Sequence, residues 1–226
     1  KLRNLTHEVE TGIQALGYLF LILAAYEENC SFDAIDRKKW KISDNIIIDP
    51  KLDNYFNRFA TGIKGKLKPN VELIIRHAAG ELFQEAQKET IFFNRRQDLF
   101  GLYISSYQTS KLLFSSFHYT PSFLARTIVE FVLSKIDLSN KQHIKILDPA
   151  CGTSEFLLEV LKQLKTIGYQ GNVEIHAWDS SESAIRISEF LLAYEQREWR
   201  DNLTIYVKKV KDSLIEVWDH DYDIIL

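Results

Sequence analysis

Short, mainly apolar segments alternate with helical patterns in the second half of the chain. The apolar segments occupy 144–147, 173–178, 203–207 and 222–226, and helical patterns over 154–167 and 182–199 follow the first two. A further helix is predicted from Pro121 to about Lys135, because proline suits the first turn of a helix. Strands that alternate with helices of this length predict right-handed crossovers and a parallel, doubly wound sheet. The second half is therefore expected to be an α/β domain.

The first half of the chain has another pattern, in which apolar residues recur at the spacing of an α-helix. This spacing predicts helices over 5–26, 52–59, 71–86 and 99–114. The longest apolar run, 15–26, is shorter than the roughly 20 residues of a membrane helix, so we expect a buried core helix and no membrane span. We predict an α-helical N-terminal domain over residues 1–115 and the α/β domain over residues 116–226.

The composition is that of a folded globular protein, with 46% hydrophobic and 26% charged residues, which excludes disorder and low complexity. The formal net charge is −3 and neither half is far from neutral, so strong binding to DNA is expected only with further regions or partner subunits. Two cysteines, Cys30 and Cys151, are too few for a disulfide framework and lack metal-ligand spacing. We therefore expect a cytoplasmic protein without a metal site.

An acidic residue follows each of the first three predicted strands of the α/β domain. These residues are Asp148, Asp179 and Asp212. Ligands of open α/β sheets bind beyond the carboxyl ends of the strands, so the three carboxylates indicate a nucleoside ligand whose positive or donor groups face them. Each acid taken alone has an alternative role as a cap of the next helix or turn, and the sequence leaves this alternative open.

The turn after the first strand reads Asp-Pro-Ala-Cys-Gly-Thr-Ser over 148–154. Small residues at a turn before a helix let backbone amides approach a ligand closely. An acid and a proline stand where a pyrophosphate site would have glycines, and this favours a ligand without phosphates. Cys151 alone is interpreted as a small buried residue rather than a nucleophile.

Five segments occur in a characteristic order: His-Tyr-Thr-Pro at 118–121, Asp-Pro-Ala-Cys-Gly-Thr at 148–153, Trp-Asp at 178–179, Asp212, and Tyr-Asp-Ile-Ile-Leu at 222–226. Over about residues 110–226 the chain thereby resembles the N6-adenine DNA methyltransferases of bacterial restriction-modification systems. The resemblance implies a Rossmann-like methyltransferase sheet, incomplete in this chain, and S-adenosylmethionine as the cofactor.

The resemblance also implies which residues bind the cofactor. The Tyr-Thr-Pro segment would lie against the methionine end of S-adenosylmethionine, and the loop after the first strand would form the floor of the site. The acid after the second strand would hold the ribose, and the acid after the third would lie near the adenine amino group. The residues so assigned are Tyr119, Thr120, Pro121, Asp148, Ala150, Gly152, Asp179 and Asp212.

A Tyr-Thr-Pro segment upstream of the cofactor loop resembles the order in type I modification subunits and in fused type II enzymes. The implied partners are double-stranded DNA and either specificity and restriction subunits or fused domains. Methylases of ribosomal RNA guanine share a similar loop but generally lack this Tyr-Thr-Pro lead.

The chain departs from the family pattern at two places. Ser154 stands where the family usually has a second glycine, so its side chain is expected to crowd the cofactor or to force a left-handed backbone. Ser180 and Ser181 follow Asp179, where an apolar residue commonly packs on the adenine. Ile185 or Phe156 would have to cover that face instead.

The family's catalytic segment, Asn-Pro-Pro-aromatic, does not occur in the sequence. We expect it immediately after Leu226, in a longer protein, and assign no catalytic residue here. The chain starts at Lys1 and has no methionine, which also favours a fragment. One alternative is a non-catalytic subunit that binds S-adenosylmethionine or assists assembly. Another is that the helical half forms a DNA-binding module, although its charge balance argues against this.

Overall fold

The computed structural model describes residues 12–62, 65–75, 91–97, 103–109, 120–199, 201–218 and 221–226. The chain divides into two compact units, Lys1–Phe117 and His118–Leu226. Each unit is built around its own elements and is described separately.

The first unit begins with helix α1, Gly12–Glu28, which is followed by a 3-10 helix at Phe32–Ala34 and by helix α2, Leu52–Thr61. Residues 71–75 are also helical. From Leu16 to Ala25 nearly every side chain of α1 is buried, which confirms the predicted core helix. Among the described residues, no helix combines the length and the apolar character needed to cross a membrane. The predicted helix residues before 12 and over 76–86 lie outside the described residues.

A β-hairpin follows in the same unit. Strand β1, Ile91–Gln97, pairs antiparallel with strand β2, Tyr103–Thr109, with Asn94 opposite Ser106. The helix predicted over 99–114 is therefore wrong where β2 lies. Segment 103–109 contains two tyrosines, an isoleucine and a threonine, residues that favour strands, and its partner strand supplies the backbone hydrogen bonds. The first unit thus contains a hairpin as well as helices.

The second unit alternates helices and strands as predicted. Its elements are α3 Ser122–Leu133, β3 His143–Asp148, α4 Glu155–Thr166, β4 Asn172–Asp179, α5 Glu182–Gln196, β5 Leu203–Lys209 and β6 Ile224–Ile225. The four strands form one sheet in the order β5-β4-β3-β6, and every pair is parallel. The predicted α/β class and the parallel, Rossmann-like sheet are confirmed. The segment 222–226 is shorter as a strand than predicted, because only Ile224 and Ile225 pair with β3.

The order of the strands places a switch point beside β3. The chain moves from β3 to β4 and β5 in one direction and then returns to add β6 on the other side of β3. Right-handed crossovers in one direction put α4 and α5 on the same face of the sheet. At such a reversal, the loops beyond the carboxyl ends of the strands diverge and leave a crevice for a ligand. The loop after β3 lies at this switch point.

The core of the second unit packs these helices against the sheet. Alternate residues of β3 and β4 are fully buried, among them Ile144, Ile146 and Ile175. They are joined by leucines of α4 such as Leu157 and Leu161, which are fully buried as well. Each such side chain contributes about 2 kcal/mol through burial of apolar surface. This core fixes the ends of β3 and β4, and so positions the loops that follow them.

Candidate functional site

Residues 148–154 form a tight turn between β3 and α4. The Cys151 N–H donates to the Trp178 carbonyl oxygen at the end of β4, with an N–O distance of 2.8 Å. The Ser154 N–H donates back to the Cys151 carbonyl oxygen at 2.6 Å, and the Ser154 carbonyl oxygen accepts the Leu158 N–H of α4. The turn is therefore fastened to the neighbouring strand on one side and to its own helix on the other.

Two residues of this turn have a left-handed backbone. Gly152 has a φ of 53° and Ser154 a φ of 62°. Glycine takes this conformation without strain, whereas a serine costs about 1 kcal/mol. The left-handed backbone predicted at Ser154 is confirmed. Its side chain is fully buried, so it points into the protein and not into the space over the turn.

The space over Gly152 is open. In the described part of the chain, a Cβ atom built on Gly152 would meet no heavy atom within 4 Å apart from those of Gly152 and its two chain neighbours. Gly152 is partly exposed, and Ala150 is exposed. The turn therefore presents backbone, with little side chain, to the open space over Gly152, as a close approach by a ligand requires.

The Asp179 carboxylate joins the turn to the end of β4. Its Oδ2 accepts the Gly152 N–H at 2.9 Å, and its Oδ1 accepts the Ser181 N–H at 2.7 Å. Two backbone donors therefore fix the orientation of the carboxylate. Each oxygen retains a further lone pair, so this partly exposed group is able to accept hydrogen bonds from hydroxyls beside Gly152.

Asp148 stands at the tip of β3 and is 3% exposed. The pKa of its carboxyl is raised to about 7, mainly because the group is buried. The Ala150 N–H, which donates to Asp148 Oδ1 at 3.1 Å, lowers this pKa in part, and the charge of Asp179 raises it further. Near neutral pH the group is therefore only partly ionised. A cationic ligand group next to it would favour the ionised form.

Thr120 and Pro121 lie at the start of the second unit. Both are partly buried, and the Pro121 carbonyl oxygen accepts the first N–H groups of α3, from Leu124 and Ala125. Within the described part of the chain, neither residue has a hydrogen bond to the turn 148–154. Tyr119, the first residue of the predicted Tyr-Thr-Pro contact, lies outside the described residues.

Asp212 is exposed on the loop after β5. Its Oδ1 accepts the Leu214 N–H at 3.0 Å, and its carbonyl oxygen accepts the Ile215 N–H. The carboxylate thus caps a turn, which is the alternative that the sequence left open. The loop begins at the same edge of the sheet as the other two acids, because the Val210 N–H donates to the Asp179 carbonyl oxygen at 2.9 Å.

Two further sequence expectations concern neighbouring side chains. Cys151 is buried, and burial together with the charge of Asp148 raises the pKa of its thiol to about 12. It is thus a small buried residue and a poor nucleophile, as predicted. Of the two residues considered for the adenine face, Ile185 is buried in α5 and Phe156 is partly exposed in the first turn of α4.

Sequence reasoning missed one residue beneath the turn. Ser188 of α5 is fully buried, and its Oγ lies within hydrogen-bond distance of Ser154 Oγ and the Gly152 carbonyl oxygen. A signal was present, because Ser188 interrupts a stripe of buried apolar residues on α5 that includes Ala184 and Leu191. A buried hydroxyl in such a stripe needs a partner.

The family model for N-6 DNA methylases matches residues 98–218, more than half of the chain. The chain belongs to the N-6 DNA methylase family. The matched stretch contains the turn 148–154, Asp179 and Asp212, so the family assignment made from the sequence motifs is confirmed. A comparison of this N-6 DNA methylase with curated proteins found no match.

Two solved structures are similar to this N-6 DNA methylase at low sequence identity. One is a protein proposed to be a class I S-adenosylmethionine-dependent methyltransferase from Listeria monocytogenes, with 17% identity, a TM-score of 0.46 and coverage of 95% of this chain and 56% of that one. The other is the type I restriction-modification methyltransferase subunit from Streptococcus thermophilus, with 13% identity and a TM-score of 0.43. The match covers 99% of this chain and 59% of that one. The chain spans a little over half the length of each.

Proposed function

We propose that this chain is the cofactor-binding part of a DNA methyltransferase that methylates adenine at N6 with S-adenosylmethionine, in a restriction-modification system. One observation carries the proposal. The Asp179 carboxylate is held by the Gly152 N–H at the edge of an open space over the turn 148–154. Membership of the N-6 DNA methylase family supports the class of reaction.

The residues present fit S-adenosylmethionine. A Cβ at Gly152 would fill the open space over the turn, so glycine leaves room for a ligand against the backbone. The remaining lone pairs of Asp179 would accept the ribose hydroxyls. Asp148, buried and only partly ionised, would face a positively charged group of the ligand.

The other assigned residues complete the proposed site. We assign Tyr119, Thr120 and Pro121 to the methionine end of the cofactor, Ala150 to the floor, and Asp212 to the adenine amino group. For Asp212 this requires its carboxylate to give up or share the hydrogen bond with the Leu214 N–H.

When bound, S-adenosylmethionine supplies a methyl group activated by its sulfonium charge. The residues of this chain bind and orient the cofactor, which contributes to rate by positioning. We assign the binding of the flipped adenine to an Asn-Pro-Pro-aromatic segment, which this sequence does not contain, and to no residue of this chain.

DNA is proposed to bind through further regions or partner subunits. The net charge of −3 offers no surplus of cations to neutralise phosphates. An N-terminal domain over residues 1–115 that contains helices and the β1–β2 hairpin, a specificity subunit, and a restriction subunit or fused domain complete the proposed arrangement.

Mass spectrometry of DNA tests the reaction. The full-length protein and its partner subunits are incubated with methyl-labelled S-adenosylmethionine and duplex DNA, and the nucleosides are analysed after digestion. Labelled N6-methyladenine is expected in the wild type, and less of it in Asp179→Ala when the cofactor concentration is below saturation. Label on cytosine would contradict the adenine assignment. Binding of S-adenosylmethionine without transfer would favour a non-catalytic cofactor-binding or assembly subunit.

A further inference from the structure

Ser188 of α5 contacts several positions of the turn 148–154 from beneath. Its Oγ is hydrogen-bonded to Ser154 Oγ, lies 3.2 Å from the Gly152 carbonyl oxygen, and is 3.5 Å from Cys151 Sγ. The side chains of Ser154 and Ser188 are both fully buried. The two hydroxyls therefore have each other and the turn as partners, in place of water.

The chemistry of a hydroxyl gives an arrangement that satisfies all three contacts of Ser188, although Cys151 Sγ also lies 3.8 Å from a second acceptor, the Gly152 carbonyl oxygen. A serine has one O–H donor and two acceptor lone pairs. A carbonyl oxygen only accepts, so Ser188 donates to the Gly152 carbonyl oxygen. The two lone pairs of Ser188 then accept from Ser154 O–H and from Cys151 S–H. In this arrangement the turn uses every hydrogen-bonding position of the Ser188 hydroxyl.

The backbone of Ser154 explains why the turn needs such an anchor. A φ of 62° is a conformation that glycine adopts freely and serine does not. Ser154 also begins α4, since its carbonyl oxygen accepts the Leu158 N–H. If Ser154 relaxed, the Gly152 N–H would shift with it, and this N–H holds the Asp179 carboxylate.

We propose that Ser188 is a positioning residue for the cofactor site, and that its hydrogen bonds to Ser154 and Gly152 hold the strained turn in its binding conformation. The inference rests on the proposed binding of S-adenosylmethionine. Its specific consequence is that Ser188 matters because residue 154 is a serine. With glycine at 154 the left-handed backbone has no strain, and the anchor becomes dispensable.

A double-mutant cycle tests this coupling. Affinity for S-adenosylmethionine is measured by calorimetry in the full-length wild type, Ser188→Ala, Ser154→Gly and the double variant. We expect Ser188→Ala to weaken binding about tenfold in the wild type but less than about threefold in the Ser154→Gly background, since contacting residues couple in this way. Equal losses in the two backgrounds would overturn the inference, and so would unchanged affinity in Ser188→Ala.

A matched control separates positioning from general destabilisation. Ile187→Val also removes buried atoms from α5, next to Ser188, but no hydroxyl of the turn's network. Thermal unfolding is recorded for every variant, and Ile187→Val should bind S-adenosylmethionine as the wild type does. A similar loss of affinity in Ile187→Val would overturn the positioning role.

The remaining outcomes distinguish a failure of the Ser188 inference from a failure of the proposed function. If Ser188→Ala does not fold, the double variant decides. If the double variant folds and binds S-adenosylmethionine as Ser154→Gly does, the coupling is supported. If the double variant fails to fold, the coupling is overturned. If the wild type and all variants fail to bind S-adenosylmethionine, the proposed function is contradicted. Binding by the wild type without the coupling contradicts only the role of Ser188.

Discussion

Replacing Asp148 with asparagine should make the protein more stable at neutral and alkaline pH, although it alters a site residue. Asparagine has nearly the same shape, and its side-chain oxygen is able to accept the Ala150 N–H that Asp148 Oδ1 accepts at 3.1 Å. It carries no charge, however, and Asp148 is only 3% exposed. The substitution therefore removes the unfavourable burial of a carboxylate while keeping the packing.

The magnitude follows from the pKa of Asp148 in the two states. Burial raises it from an ordinary value of 3.8 to about 7 in the folded protein. The folded state then holds this proton more tightly than the unfolded state, so the contribution of Asp148 to stability is fully present below about pH 4 and is lost as pH rises to about 7. Three pKa units correspond to about 4 kcal/mol, and Asp148→Asn should avoid most of this loss.

Urea unfolding of the wild type and Asp148→Asn at pH 5 and pH 8 measures the difference. The advantage of the variant should grow by about 3 kcal/mol between these pH values, since two of the three pKa units lie between pH 5 and pH 7. Asp223→Asn provides a control of opposite sign. Burial raises the pKa of Asp223, but its bonds with Lys141 and the Lys145 N–H bring that pKa below its ordinary value, so its removal should destabilise the protein at pH 8. Parallel pH profiles for the wild type and Asp148→Asn would show that burial of Asp148 does not raise its pKa in the folded protein.

Further predictions concern the turn, its ionisation and the core. Gly152→Ala and Gly168→Ala should each cost about 1 kcal/mol of stability, because both glycines have a positive φ and open space around the Cβ position, but only Gly152→Ala should weaken binding of S-adenosylmethionine in calorimetry. Equal affinities for S-adenosylmethionine in the two alanine variants would contradict the assignment of Gly152 to the cofactor site. Affinity of the wild type should rise about tenfold between pH 6 and pH 8, as Asp148 ionises, and stay flat in Asp148→Asn. Leu161→Ala, at a fully buried position, should lower the free energy of unfolding by about 3 kcal/mol in urea titrations, and a loss below 1 kcal/mol would contradict the packing.

The sheet of the second unit could be predicted because its strands are short, mainly apolar segments that alternate with helical patterns. Segments 144–147 and 173–178 are bounded by polar or turn residues, and both became strands with one extra residue at each end. The carboxyl end of each strand was marked by an acid, so the sequence indicated the edge where Asp148 and Asp179 meet.

The hairpin β1–β2 could not be predicted in the same way. Residues 103–109 have apolar positions that fit a helical spacing as well as a strand. The pairing of Tyr103–Thr109 with Ile91–Gln97 decides between the two, and that pairing is a contact between segments and not a property of either one.

The role of Ser188 beneath the turn also could not be predicted from the spacing of residues in the sequence. Ser154 could be identified as an unusual residue at a glycine position, and its left-handed backbone followed. Its partner Ser188 lies on another helix and meets it only because α5 packs under the turn. Likewise, the sequence placed Asp212 after β5 but could not distinguish a ligand contact from the turn cap that it forms with Leu214.

The most direct test of the cofactor site is a calorimetric titration with S-adenosylmethionine. The wild type, Asp179→Ala and Asp201→Ala are compared, the last as a matched control because Asp201 is an exposed acid at the amino end of β5. We expect binding by the wild type and by Asp201→Ala, and binding at least about tenfold weaker in Asp179→Ala, a loss of about 1.4 kcal/mol. Unchanged affinity in Asp179→Ala would contradict the ribose assignment, and absence of binding in the wild type would contradict the site as a whole.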